Sequence, residues 1–316
     1  MPPEEYFKSD VRLVEFGAPK KQDDLYLRYF PGMEPSELFS INDWGVGAKK
    51  SEDSIYHFTR RISPLENAET LNELIDYPMP DFTQSDSELD KQVADIHSSN
   101  LAAAGQGDLT LFEMAWLIRG YEQFLEDLLL RPDFAECLLD RIFKIRLFMV
   151  KRLAAAGVDV LTCGDDVSCQ RGMLINPELF RSFLKPRYDI LIHTAKTINK
   201  DLLIFFHSDG NPEAIIPDLI EVGVNILNPC QPECNDFDML KKTYGKDLSF
   251  WGAIGIQELL PFGTRDDIRR EVRHLKETLG SGGGLLLGPT HVIEPEVPWE
   301  NLVVLYEAIE EFGRYK

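Results

Sequence analysis

The chain has 316 residues, of which 44% are hydrophobic, so it is long enough to bury a sizeable core. Its net charge of −20 and the lack of a Lys/Arg-rich stripe exclude the usual binding modes for nucleic acids and acidic membranes. Without a signal-peptide pattern or an apolar run of roughly 18 residues, the sequence predicts a cytoplasmic protein with reduced cysteines.

The predicted elements begin with an irregular stretch of about 90 residues that is rich in turn-forming and acidic residues. From about residue 110, short β-rich runs alternate with amphipathic segments of helical length. This alternation is typical of βαβ units around a parallel sheet. The β-rich runs are Asp108–Phe112, Val158–Thr162, Leu202–Phe206, Asn225–Leu227, Leu248–Trp251 and Gly284–Leu287.

Polar segments rich in Gly and Pro follow five of these strands. Because parallel α/β folds bind ligands at the carboxyl ends of their strands, the sequence predicts a site there. The alternation fits a closed barrel and an open doubly wound sheet equally, although neither glycine-rich nucleotide-binding motif is present. The five segments are Cys163–Asp166, His207–Asn211, Asn228–Glu233, Gly252–Gly255 and Gly288–His291.

Three residues in these segments are candidates for a shared site. His207 and Asp209 follow an apolar strand at i, i+2 spacing, which sends both side chains to one side, within reach of a metal or substrate. The alternative is that Asp209 caps the helix opened by Pro212 and that His207 donates to a backbone carbonyl. His291 ends the last strand, where a histidine serves as proton donor, oxyanion partner or ligand.

Two further pairs carry weaker signals. Asp165 and Asp166 are adjacent carboxyl groups, and one of them is expected to be functional, because neighbouring residues on a strand usually face apart. Cys230 and Cys234 form a C-x3-C pair without the second pair of a structural zinc site. Cys230 is therefore either a plain loop cysteine or a single thiolate in the site.

Taken together, the strand-end segments resemble the uroporphyrinogen decarboxylase superfamily over about residues 35–313. That superfamily contains porphyrinogen decarboxylases and cobalamin-dependent methyltransferases. The resemblance implies a single α/β domain over residues 1–316, a (β/α)8 TIM barrel with an irregular N-terminal extension at 1–35 and a site at its carboxyl mouth. The matching runs are His207–Asn211, Gly223–Pro229, Phe250–Gly255, Gly288–His291 and Pro295–Asn301.

The decarboxylase branch matches less well. This chain lacks the arginine-containing N-terminal segment that binds substrate carboxylates in that branch, and its acidic charge suits a polycarboxylate poorly. Asp43 and His291 fall on the catalytic Asp and His of that branch, whereas Trp116 stands in place of its active-site Tyr. A decarboxylase that uses Asp43 and His291 on a smaller acid is the alternative, and a non-catalytic ligand-binding barrel is a second one.

The methyltransferase branch holds zinc with a His-x-Cys pair and a later Cys. His207 matches the first ligand, while Asp209 and His291 stand at the two Cys positions. This His/Asp/His set can bind zinc, but its nitrogen and oxygen ligands are harder donors than thiolates. A zinc ion in such a site is better suited to polarising a methoxy or methylamino group than to activating a thiol. These three side chains are expected either to hold the metal or to bind the leaving heteroatom directly.

The resemblance therefore implies a methyltransferase-like enzyme that takes a methyl group from a small-molecule donor. Because the chain lacks a D-x-H-x-x-G cobalamin motif, the corrinoid is expected on a partner protein. The sequence assigns acid–base or substrate contacts to Asp165 or Asp166 and to Glu113. Further substrate contacts are assigned to Gln231, Cys230, Trp44, Trp116 and Trp251; the tryptophans alternatively belong to ordinary barrel packing.

Overall fold

The computed structural model describes residues 2–20, 22–33, 36, 39–50, 56 and 59–313. The chain forms two compact units. The first unit comprises residues 10–165 and 178–202, and the second unit comprises residues 1–9, 166–177 and 203–316. Parallel strands and helices occur in both, which confirms the predicted α/β class. Among the described helices, none combines the length and the apolar character that crossing a membrane requires.

Three parallel strands form the main sheet of the first unit. Val11 pairs with Ala102, and Ala104 pairs with Val160. Small side chains on the middle strand permit close packing, because a Cβ at Gly105 would lie only 3.1 Å from the Leu153 side chain. The strands are Val11–Glu15, Ala102–Leu109 and Val160–Gly164, beside a small antiparallel sheet of Phe39–Ile41, Gly47–Lys49 and Arg60–Ile62.

The longest helix of the first unit is Pro132–Ala156. It begins with a proline and ends at Gly157, whose φ of +87° suits a left-handed helix stop. Its buried residues recur at helical spacing and so line one face. The other helices between residues 23 and 198 are Asp23–Tyr26, Leu27–Tyr29 (3-10), Leu71–Ile75, Leu89–Ser98, Phe112–Arg119, Tyr121–Leu130, Pro177–Leu179, Phe180–Leu184 (π) and Lys185–Ile198.

Four parallel strands form the main sheet of the second unit, and they pair in chain order. They are Leu203–His207, Ile226–Asn228, Ser249–Ile254 and Leu285–Pro289. A helix follows each of them, as a βαβ arrangement requires. The helices are Pro3–Tyr6, Glu213–Ile215 (3-10), Ile216–Val222, Phe237–Tyr244, Leu259–Phe262, Arg265–Glu277 and Trp299–Phe312, and Ser168–Cys169 pairs antiparallel with Gly172–Met173.

The structure departs from the sequence analysis at two strands. The run Asp108–Phe112 is not a strand of its own, because the strand is Ala102–Leu109 and Phe112 begins a helix. Its Ala- and Gly-rich sequence lacks the β-branched residues that signal a strand. Val11–Glu15, inside the predicted extension, is also a strand of the parallel sheet, and its single buried residue, Val14, leaves little hydrophobic pattern to detect.

A buried ion pair ties together the helices around Gly120 in the first unit. Arg119 and Asp127 are each 1% exposed, and the arginine Nε donates to Asp127 Oδ2 at 2.7 Å. Nη1 of the same guanidinium donates to the backbone carbonyls of Leu65 and Glu66, which satisfies both of its hydrogens. Removing one partner of such a pair leaves an uncompensated buried charge.

We expect Asp127→Ala to lower the free energy of unfolding by about 3–5 kcal/mol, since Arg119 stays buried without its carboxylate. Chemical denaturation followed by circular dichroism measures the change. Glu126 is an exposed acid on the same helix, and Glu126→Ala should cost no more than about 0.5 kcal/mol. Equal effects of the two substitutions would contradict a structural role for the pair.

Candidate functional site

The candidate site lies at the carboxyl ends of the strands in the second unit. His207 is the last residue of its strand, and Asn228 is the last residue of the neighbouring strand. The two are in-register partners in the parallel ladder. Because side chains alternate between the faces of a strand, partners at the same register position point to the same face.

Two carboxylates lie beside His207. Its Nε2 is 3.6 Å from Asp166 Oδ1 and 3.7 Å from Asp209 Oδ1. One ligand atom from each of Asp166, His207 and Asp209 lies within 4.8 Å of the others. The Asp209 backbone N–H donates to Asp166 Oδ1 at 2.8 Å, which ties the two acidic segments together.

His291 lies on the other side of Asp209. Its Nε2 is 3.6 Å from Asp209 Oδ2, so the Asp209 carboxylate stands between two imidazoles. Each of the four side chains is 34–36% exposed, and solvent or a small molecule therefore reaches the cluster. We call Asp166, His207, Asp209 and His291 the strand-end cluster.

Backbone packing fixes the loop that carries Asp209. Ser168 Oγ donates to the Asp209 carbonyl at 2.5 Å, and Gly210 N–H donates to Gln231 Oε1 at 3.3 Å. Gly210 has a φ of +82°, and a Cβ there would overlap the backbone of Cys169. Only glycine fits this close approach without strain, so the loop position depends on it.

Electrostatics in the cluster favour a bound cation or proton. Burial is the largest cause that raises the pKa of Asp209, and the neighbouring Asp166 carboxylate raises this pKa further. The imidazoles of His207 and His291 act in the opposite direction. Bringing two carboxylates together with partial desolvation costs free energy unless positive charge compensates them.

The donor set fits a divalent metal. Zinc binds imidazole nitrogen and carboxylate oxygen at about 2.0–2.2 Å, so tetrahedral ligands stand roughly 3.3 Å apart. The separations of 3.6 and 3.7 Å around His207 Nε2 are close to that value. Asp166, His207 and Asp209 would leave a further position open, as catalytic zinc sites do.

Three other predicted residues of the second unit have structural contacts. Gln231 is buried and accepts from Gly210. Burial raises the pKa of Cys230 to about 12, and its Sγ donates to the Leu227 carbonyl, so the thiol is protonated. Trp251 packs edge-on against Phe205 at 5.1 Å. Their predicted contacts with substrate stay predictions.

Of the adjacent residues Asp165 and Asp166, only Asp166 belongs to the strand-end cluster, because Asp165 is buried in the first unit. Asp165 is fully buried and accepts the backbone N–H groups of Leu111, Phe112 and Glu113 at 2.8–3.0 Å. The Tyr188 hydroxyl donates to it at 2.6 Å. Asp165 therefore caps the start of the helix Phe112–Arg119, whereas Asp166 belongs to the strand-end cluster.

Four other predicted residues also lie in the first unit. Trp44 is buried, with the Arg146 guanidinium 4.6 Å from its ring centre, so it packs within the core. Asp43 is exposed, and its carbonyl accepts from the Tyr26 hydroxyl. Trp116 meets Tyr121 edge-on at 5.6 Å. Glu113 contributes its backbone N–H to Asp165, and a functional role for its carboxylate stays a prediction.

Asn228 is the polar neighbour that sequence reasoning missed. Its Oδ1 lies 2.6 Å from His207 Nδ1, the shortest contact made by the His207 ring among the described residues. The available signal was its position directly after the predicted strand Asn225–Leu227. The position of Asn228 in the sequence does not show that it lies beside His207, because the register between two strands cannot be read from the residues of one strand.

Comparison with known proteins gives concordant results. The profile of the uroporphyrinogen decarboxylase (URO-D) family matches residues 89–312. A methylated-thiol–coenzyme M methyltransferase of Methanosarcina mazei is 24% identical over 209 residues, covering 63% of this chain and 51% of that protein. A uroporphyrinogen decarboxylase of Legionella pneumophila is 23% identical over 197 residues, covering 62% and 53% respectively. The chain thus spans about half the length of both relatives.

A solved structure supports the fold. A methyltransferase from Methanosarcina mazei superposes with a TM-score of 0.64 at 20% identity, covering 86% of this chain and 77% of that one. This likeness confirms the predicted fold class, an α/β TIM barrel of the (β/α)8 type. At such low identity the likeness concerns the fold alone.

The buried Asp165 carboxyl makes stability depend on pH. Burial outweighs its hydrogen bonds and raises its pKa from 3.8 to about 6. The folded protein therefore binds a proton on Asp165 more tightly than the unfolded chain does. This binding stabilises the folded state at low pH, and the stabilisation is lost as the pH rises from about 4 to above 6. We expect the free energy of unfolding of wild type, relative to that of Asp165→Asn, to fall by about 2 kcal/mol between pH 4 and pH 7.

Denaturant titrations of both proteins across this pH range measure the difference. Tyr188→Phe removes a hydrogen bond that lowers the pKa of Asp165, so it should move the transition to higher pH. A stability difference between wild type and Asp165→Asn that stays constant from pH 4 to pH 7 would refute this account.

Proposed function

Because the chain belongs to the uroporphyrinogen decarboxylase family, we propose that it is a methyltransferase-like enzyme that demethylates a small methoxy or methylamino compound. The methyl group passes to a corrinoid carried by a separate protein. The observation that carries this proposal is the strand-end cluster, in which two carboxylates and two imidazoles lie beside one another and each side chain is 34–36% exposed.

The residues of the cluster divide the work. Asp166, His207 and Asp209 would hold a zinc ion, since their donor atoms lie within 4.8 Å of one another. Zinc bound there would supply a Lewis acid that stabilises the negative charge developing on the leaving heteroatom. His291 was predicted as a ligand, but among the metal-binding atoms of the described residues it lies outside that mutual group.

His291 is instead assigned to proton transfer. Its Nε2 lies 3.6 Å from Asp209 Oδ2, and the side chain is 34% exposed. When the bond from the methyl carbon to oxygen or nitrogen breaks, the electron pair stays on the heteroatom, which then takes a proton. An imidazole beside that atom delivers the proton directly, and Asp209 orients the ring.

The acidic charge of the chain also bears on the substrate class. A net charge of −20 repels an anionic acid at long range but does not oppose the approach of a neutral ether or neutral amine. The decarboxylase alternative requires a carboxylate substrate, and its predicted Asp43 is an exposed residue of the first unit. The acidic charge of the chain therefore favours methyl transfer over decarboxylation.

The proposal is tested with the zinc-loaded protein, free cob(I)alamin as acceptor and a panel of methoxy, methylamino and methylthio compounds. The loss of cob(I)alamin absorbance reports methyl transfer. We expect turnover with a methoxy or methylamino compound and a drop of about 10²–10⁴-fold in His291→Ala. His193→Ala, at an exposed histidine on the helix Lys185–Ile198, serves as the matched control and should retain full activity.

Two outcomes would defeat the proposal. One is release of carbon dioxide from a carboxylic acid, without corrinoid, in a reaction that depends on His291. The other is methyl transfer that proceeds equally well in wild type and His291→Ala, since this would exclude the proton transfer assigned to His291.

A further inference from the structure

The side chain of Asn228 has a defined orientation. Its Nδ2 lies 2.9 Å from the backbone carbonyl oxygen of Trp251. A carbonyl oxygen only accepts hydrogen bonds, so the amide nitrogen of Asn228 must face Trp251. The amide oxygen therefore faces His207, where it lies 2.6 Å from Nδ1.

That orientation decides which ring nitrogen of His207 carries hydrogen. An amide oxygen has no hydrogen to give, so the 2.6 Å contact requires a hydrogen on Nδ1. The other nitrogen, Nε2, lies 3.6 Å from Asp166 Oδ1 and 3.7 Å from Asp209 Oδ1, both beyond hydrogen-bond distance. In the neutral ring, Nε2 then presents its lone pair to the space beside the two carboxylates.

We propose that Asn228 is a positioning residue that holds His207 as the Nδ1–H tautomer and aims the Nε2 lone pair into the strand-end cluster. Two hydrogen bonds in series connect the Trp251 carbonyl, the Asn228 amide and the His207 imidazole, and we call them the relay. In-register pairing of Asn228 with His207 places the amide beside the ring, so the relay is built into the sheet. A histidine that binds metal through one nitrogen needs such a partner on the other.

The tautomer is measured on the metal-free protein labelled with 15N-histidine. Long-range 1H–15N correlation spectra at pH about 8.5, where free imidazole is neutral, distinguish Nδ1–H from Nε2–H. The chain has six histidines, and the His207 signals are those that disappear in His207→Gln. We expect the Nδ1–H pattern in wild type and a shift toward Nε2–H in Asn228→Ala or, if that variant folds poorly, Asn228→Ser.

Asn225→Ala is the matched control. Asn225 directly precedes the same strand, and its Oδ1 accepts from the Ile204 backbone, so its removal should leave the His207 pattern unchanged. An Nε2–H or doubly protonated His207 ring in wild type would overturn the proposal. So would an Nδ1–H pattern that persists in both Asn228 variants.

A second readout connects the tautomer to metal binding, and this part alone rests on the proposed function. Competition for Zn²⁺ with a chromophoric chelator should show about 10–100-fold weaker binding in Asn228→Ala than in wild type. Zinc affinity that is equal in the two proteins would refute the positioning role. Failure of wild type to bind Zn²⁺ would count against the proposed function, while the tautomer result would stand or fall by itself.

Discussion

The carboxylate of Asp209 lies between two imidazoles and beside the carboxylate of Asp166, and the chemistry that we propose for the second unit depends on that balance of charge. Burial and the neighbouring carboxylate raise the pKa of Asp209, and the imidazoles lower it. With neutral histidines, Asp166 and Asp209 together carry two negative charges inside an already acidic chain. A divalent cation bound there would neutralise them and offset the free-energy cost of holding two partly desolvated acids together.

Sheet register is the mechanical basis of the cluster. In-register pairing sets Asn228 beside His207, and the two-residue step along the chain brings Asp209 to the same place. Asp166 is held from another segment of the second unit by the Asp209 backbone N–H. The cluster therefore depends mainly on the in-register pairing of the strand ends and less on the conformation of any single loop.

The sequence predicted the fold class and several strand positions, because hydrophobic alternation and strand-end polarity are local signals. His207, Asp209 and His291 were singled out from those signals, and the structure brings their side chains together. Which of Asp165 and Asp166 joins them was not predictable, since it depends on Asp165 capping a helix that starts over fifty residues earlier. Trp44 was equally ambiguous, because a buried packing tryptophan and an aromatic site wall have the same local sequence signal.

Crystals of the zinc-soaked protein, with anomalous diffraction recorded at the zinc edge, test the central claim most directly. The account predicts one strong anomalous peak about 2.0–2.2 Å from His207 Nε2 and from carboxylate oxygens of Asp166 and Asp209, with an open coordination position on the side of His291. An anomalous peak of full occupancy at the cysteines would contradict this prediction. The absence of any anomalous peak in the strand-end cluster after soaking would contradict it as well.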